Sequence, residues 1–106
     1  MPKYLYHGSY TDKGLKGLMK DGGSKRVKVT KKAIESLGGK MEAYYFALGG
    51  NDFYIILEAP DNVKAITGSL IANASGTVKV SITALVSPEE VDQAVKQTMK
   101  WRPPGK

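Results

Sequence analysis

His7 is the only histidine in this chain, and with Asp52 and Tyr54 it forms a minimal set for moving a proton near neutral pH. In such a set the imidazole accepts the proton, Asp52 orients the ring, and the Tyr54 phenol donates to an oxyanion as it develops. Lys79 adds a charge suited to an anionic substrate, and Ser9, Ser81 and Thr83 add hydroxyls. Tyr44 and Phe46 add rings that would grip an aromatic ligand. Each residue also has a plainer role, because a lone strand histidine is often a hydrogen-bonded interface residue and rings on a dimer face often only pack. The pattern therefore suits a binding pocket as well as a catalytic one.

Other chemistries have less support. The chain has no cysteine, hence no thiolate nucleophile, thiolate metal ligand or disulfide, which fits a cytoplasmic protein. His7 combined with Asp52, Glu42 or Glu58 lacks the HxH or HxxxE spacing of a metal site, so neither metal nor cofactor is expected. Gly22-Gly23-Ser24-Lys25-Arg26 would expose backbone N–H groups beside two positive charges, a weak anion site at Ser24, Lys25 and Arg26. It lacks both Walker spacing and a preceding strand, and a helix kink with a new N-terminus accounts for the same residues. The net charge of +6 is concentrated between Lys25 and Lys32. Without interleaved aromatic residues, that run reads as a solvated helix face rather than a nucleic-acid surface. The longest apolar run, near Phe53–Leu57, is too short to cross a membrane.

The elements that must bring His7, Asp52 and Tyr54 together are legible in outline. Residues 43–60, AYYFALGGNDFYIILEAP, place two aromatic-rich apolar runs around the turn Gly49-Gly50-Asn51-Asp52, which reads as a β-hairpin. Lys3–Tyr10 alternates as a strand, with Tyr4, Tyr6, Gly8 and Tyr10 on one side and Leu5, His7 and Ser9 on the other. Thr11 or Asp12 caps a short helix with Leu15, Leu18 and Met19 on one face, broken at Gly22-Gly23. A second helical piece runs to about Leu37 on the stripe Val27, Thr30, Ile34 and Leu37. Pro60 and Asp61 open another helix, carrying Val63, Ile66, Leu70 and Ala74 as far as Gly76. Thr77–Val86 alternates again, Val78, Val80, Ile82 and Ala84 against Lys79, Ser81 and Thr83. Ser87-Pro88-Glu89-Glu90 is a capping box, and the final helix is expected to continue to Met99.

This order predicts one α+β domain over residues 1–106, a ferredoxin-like βαββαβ antiparallel sheet in strand order 4-1-3-2 with an extra C-terminal helix. Helices would cover one face. The other would carry Tyr44, Phe46, Leu48, Tyr54 and Ile56, an apolar surface that a second copy of the chain would cover. Pairing the first, third and fourth strands would line that open face with His7, Ser9, Asp52, Tyr54, Lys79, Ser81 and Thr83.

Tyr4-Leu5, Gly8-Ser9-Tyr10-Thr11, Gly14-Leu15-Lys16-Gly17-Leu18 and Asp21 to Arg26, together with Ser36 to Lys40, Pro60 to Val63, Pro88-Glu89-Glu90 and Arg102 to Gly105, resemble the GYD domain family of small prokaryotic proteins. Where the family name leads to Gly-x-Tyr-Asp, this chain has Gly49-Gly50-Asn51-Asp52. The resemblance implies the dimeric α/β-barrel group, in which two ferredoxin-like sheets pack face to face; members of that group include cofactor-free oxygenases, isomerases and haem-handling proteins. The expectation is a homodimer binding a small aromatic or anionic molecule between sheet and partner, with acid/base chemistry open. The rival readings are a polyanion binder working through Lys25–Lys32 and a purely structural assembly protein.

Overall fold

The computed structural model describes residues 1–106 and has four strands and four helices. β1 (Lys3–Tyr10) leads to α1 (Asp12–Asp21) and α2 (Gly23–Ser36), and β2 (Lys40–Phe46) and β3 (Phe53–Glu58) form the hairpin. α3 (Asn62–Ala74), β4 (Val78–Leu85) and α4 (Pro88–Ala94) follow. All pairings are antiparallel in the order β2-β3-β1-β4, an α+β arrangement compatible with the ferredoxin-like fold.

Local chemistry explains the joints. Thr11 caps α1, accepting from the Gly14 N–H at 3.2 Å while its own hydroxyl donates to the Gly76 carbonyl at 2.8 Å. The first crossover is thereby tied to the turn before β4. Gly14 fits there because it lacks a side chain: a Cβ would come within 1.9 Å of the Thr77 carbonyl oxygen. Gly22, at φ +81°, ends α1 and starts α2 in a backbone region that favours glycine. The hairpin turn is wider than expected, closing over Ala47–Asp52 with the Ala47 N–H on the Asp52 carbonyl at 2.8 Å.

The core lies between the sheet and the helices, on Tyr4, Tyr6, Phe53, Ile55 and Leu57 with Ile34 and Ala65 above them. Three expected apolar stripes do not face it. α1 buries Gly14, while Leu15 and Met19 are exposed. In α3 the small residues Ala65 and Ser69 turn inward, and Val63, Ile66 and Leu70 are 72, 51 and 63% exposed. α4 stops at Ala94 instead of reaching Met99, and Val91, Val95, Met99 and Trp101 stand exposed. A seven-residue helix with nothing packed against its apolar side has little to extend it.

Candidate functional site

The open face of the sheet carries most of the residues singled out for chemistry. His7 lies opposite Tyr54 on β3 and Ser81 on β4, and Ser9 lies opposite Lys79. The His7 ring stacks on Tyr54 with centroids 6.2 Å apart and planes 20° apart, and its Nε2 is 3.3 Å from the Thr83 hydroxyl. Asp52 is placed differently from the expected orienter. Its carboxylate accepts from the Tyr10 N–H at 2.9 Å, and its own N–H donates to the Gly8 carbonyl at 2.7 Å. Asp52 thus extends β3 along β1 with one side-chain bond, and the partner on the imidazole is Thr83. Asn51, which stands where the family name leads to tyrosine, donates its amide to the Tyr54 hydroxyl at 3.2 Å.

Tyr44 and Phe46 require a correction: they lie on the helix side. Tyr44 pairs with Ile55, Tyr45 with Tyr54 and Phe46 with Phe53, so Tyr44 and Phe46 share the face of the core residues Ile55 and Phe53. The hairpin register sets that face, and alternation within one strand does not reveal it; a register shift between Met41 and Ala43 lies farther from the turn. The exposed ring beside Tyr54 is Tyr45.

The basic segment is divided. Lys25 and Arg26 approach Asp21 at 3.6 and 3.9 Å, Lys28, Lys31 and Lys32 are exposed along α2, and Ser24 makes no cap at its start.

The enclosed space is on the other side of the sheet. A cavity of about 350 Å³ opens between α2, α3 and the inner face of the sheet. Tyr6, Tyr10, Tyr44, Phe53, Ile55 and Val80 form its floor, Arg26, Ile34 and Leu37 one wall, and Ala65, Gly68 and Ala72 the other. Tyrosines explain why it exists. The Tyr6 hydroxyl donates to the Ala65 carbonyl, and the Tyr4 hydroxyl donates to Asn62. Two phenols thus stand upright between sheet and α3 and hold the helix off at their own length. Gly68 makes room for one of them, since a Cβ there would sit 3.0 Å from the Tyr6 hydroxyl. The buried α3 residues are the small Ala65 and Ser69, Lys64 and Ile71 reach the cavity only at its margin, and the space beside the pillars stays unfilled.

At one end of the cavity the Tyr10 and Tyr44 hydroxyls are 3.2 Å apart. Burial, with this hydrogen bond, pushes the Tyr44 phenol well above its ordinary value of 10.0, and the nearby positive charge of Arg26 opposes the shift. Burial likewise raises Tyr6. Arg26 and Tyr10 also line a smaller pocket of about 110 Å³ with Lys13 and Thr77, so they stand at the boundary between the two spaces. No group of three or more histidine, cysteine or acidic side chains is gathered to hold a metal ion.

The sequence pattern points to a pocket on the open face, whereas this cavity lies on the helix side. Two signals in the chain point to it: Tyr4, Tyr6 and Tyr10 all on the inner side of one strand, and Ala65, Gly68, Ser69 and Ala72 at helical spacing on α3.

In comparison with known proteins, the family model described as the GYD domain matches residues 4–95. The match runs from the second residue of β1 past the end of α4 and ends before Arg102–Gly105. No curated protein and no solved structure matches the chain.

Proposed function

The chain belongs to the GYD domain family, and we propose that it works as a cytoplasmic homodimer that binds a small, largely apolar organic ligand between its helices and its sheet. The observation that carries this reading is the cavity of about 350 Å³. Small-molecule sites occupy roughly 300–1,000 Å³ and combine apolar walls with a few placed polar groups. Here the walls are mainly aromatic and aliphatic, two phenols and a guanidinium meet at one end, and Thr30, Ser36, Glu58 and Lys64 complete the polar lining.

The dimer in this reading is the face-to-face barrel of the dimeric α/β group. It is supported by the exposed Tyr45 and Tyr54 and the half-buried Leu5 and Ile56 on a sheet face that no element of the same chain covers. The lack of cysteine suits a reducing compartment.

A saturable environment-sensitive fluorophore tests the location. One probe per chain is expected to bind, Ala72→Phe is expected to abolish binding while the chain still melts cooperatively, and His7→Ala is expected to leave it unchanged. Loss with His7→Ala and retention with Ala72→Phe would move the site to the open face.

That face carries the second reading, proton transfer at His7, favoured by the imidazole's contact with Thr83 and its stacking on Tyr54. There Ser9, Lys79 and Ser81 would contact a substrate enclosed by the partner copy, with Asp52 acting only through the β1–β3 backbone. Turnover abolished by both His7→Gln and Tyr54→Phe would support it. Turnover insensitive to both would exclude it.

A further inference from the structure

We infer that the ligand of the helix-side cavity is an amphipathic carboxylic acid, its carboxylate held by Arg26 and the Tyr10–Tyr44 phenol pair and its apolar body lying toward Ile34, Ile55 and Val80. This rests on the cavity being the ligand site and adds the chemical class of the occupant.

Two hydroxyls 3.2 Å apart share one hydrogen between them, which leaves the second O–H without an acceptor. Arg26 Nη1 is 3.9 Å from the nearest Asp21 oxygen, too long for a hydrogen bond, so its donors at the cavity are uncommitted. Because the half-buried Tyr44 holds its proton, it remains a donor throughout the neutral range. Acceptors are scarce at this end. Glu58 borders the cavity at the opposite end of β3 from Phe53, standing across from Lys3, whose ammonium is paired with Glu42 at 3.0 Å. Asp21 lines the smaller pocket and lies between Lys25 and Arg26. At the Tyr10–Tyr44 end a free phenol O–H and a guanidinium call for a ligand that brings acceptors and negative charge, and a carboxylate fits the planar guanidinium fork. The remaining walls offer apolar surface, which calls for a hydrocarbon or aryl body. An amine or polyol would leave these donors unpaired in a partly desolvated site.

Calorimetric titration with matched pairs tests the class: octanoic acid against octanol, and 3-phenylpropanoic acid against 3-phenylpropanol. At least one acid is expected to bind about tenfold or more tightly than its alcohol, since a charge-assisted hydrogen bond replaces a neutral one. Arg26→Gln is expected to remove the preference without weakening the alcohol, Tyr44→Phe to reduce it, and Ala72→Phe to abolish binding of both members. If acid and alcohol bind equally and both are lost in Ala72→Phe, the cavity stands as the site and the acid class is overturned. If neither series binds, or binding survives Ala72→Phe, the cavity reading fails and this inference fails with it.

Discussion

Tyr44 and Tyr10 share a hydrogen bond in a half-buried site that disfavours phenolate, and the consequence for stability has a definite sign. The folded chain keeps the Tyr44 proton above pH 10, where the unfolded chain releases it. The unfolded state then binds fewer protons, so stability is complete below the ordinary phenol value and falls as pH rises through it toward the raised folded value. Tyr6 acts in the same direction. Denaturant titrations between pH 8 and 11 should give a declining stability in the wild type and a shallower decline in Tyr44→Phe, with a loss of about 1 kcal/mol at neutral pH for the missing hydrogen bond. Gly14 gives a sterically determined prediction at the same scale. A methyl at 1.9 Å from the Thr77 oxygen cannot be accommodated without moving β4, so Gly14→Ala should lower the melting temperature by several degrees. Gly17→Ala, with nothing near its Cβ position, should not.

At the level of elements, the end of α3 holds the edge of the sheet. Asn73 donates to the Val80 carbonyl at 3.1 Å and accepts from the Val80 N–H at 2.7 Å, occupying the outer backbone groups of β4 much as another strand would. Asn73→Ala should cost about 1–3 kcal/mol, and amide exchange at Val80 should accelerate more than at Ile82. Much of this architecture is legible in the sequence. Alternation in Lys3–Tyr10 and Val78–Leu85, the caps at Thr11, Asp61 and Ser87, and the glycines at 22, 38 and 76 mark the elements. Two things are hidden there for physical reasons. Tyr44 and Phe46 face inward because the hairpin register sets them opposite Ile55 and Phe53, and local alternation does not encode register. The inward face of α3 is its small-residue side, since upright tyrosines already occupy the space that Val63 or Leu70 would fill. A stripe of large apolar residues is the usual mark of a core face, and here it marks the outside.

The whole molecule exposes more surface than its mass requires. Its 7770 Å² compares with about 5,800 Å² for a folded monomer of 11.5 kDa, and its radius of gyration of 17.0 Å with about 13 Å. Residues 88–106 are all exposed and one face of the sheet is uncovered, in keeping with both excesses and with a longest dimension of 56 Å. Association through that face would bury area of the order of 800 Å² per copy. Sedimentation analysis should therefore give a dimer, and Ile56→Glu, which sets a charge in the middle of the open face, should give a folded monomer; a monomeric wild type would contradict the proposed assembly. In the proposed assembly the partner covers one side of the sheet and the ligand lies on the other, and methyl NMR distinguishes the two sides directly. On titration with the acid of highest affinity, the methyls of Ile34, Ile55, Leu57 and Val80 should shift and saturate together while those of Leu5, Ile56 and Thr83 stay in place. Shifts confined to Leu5, Ile56 and Thr83 would put the ligand on the open face and contradict the account.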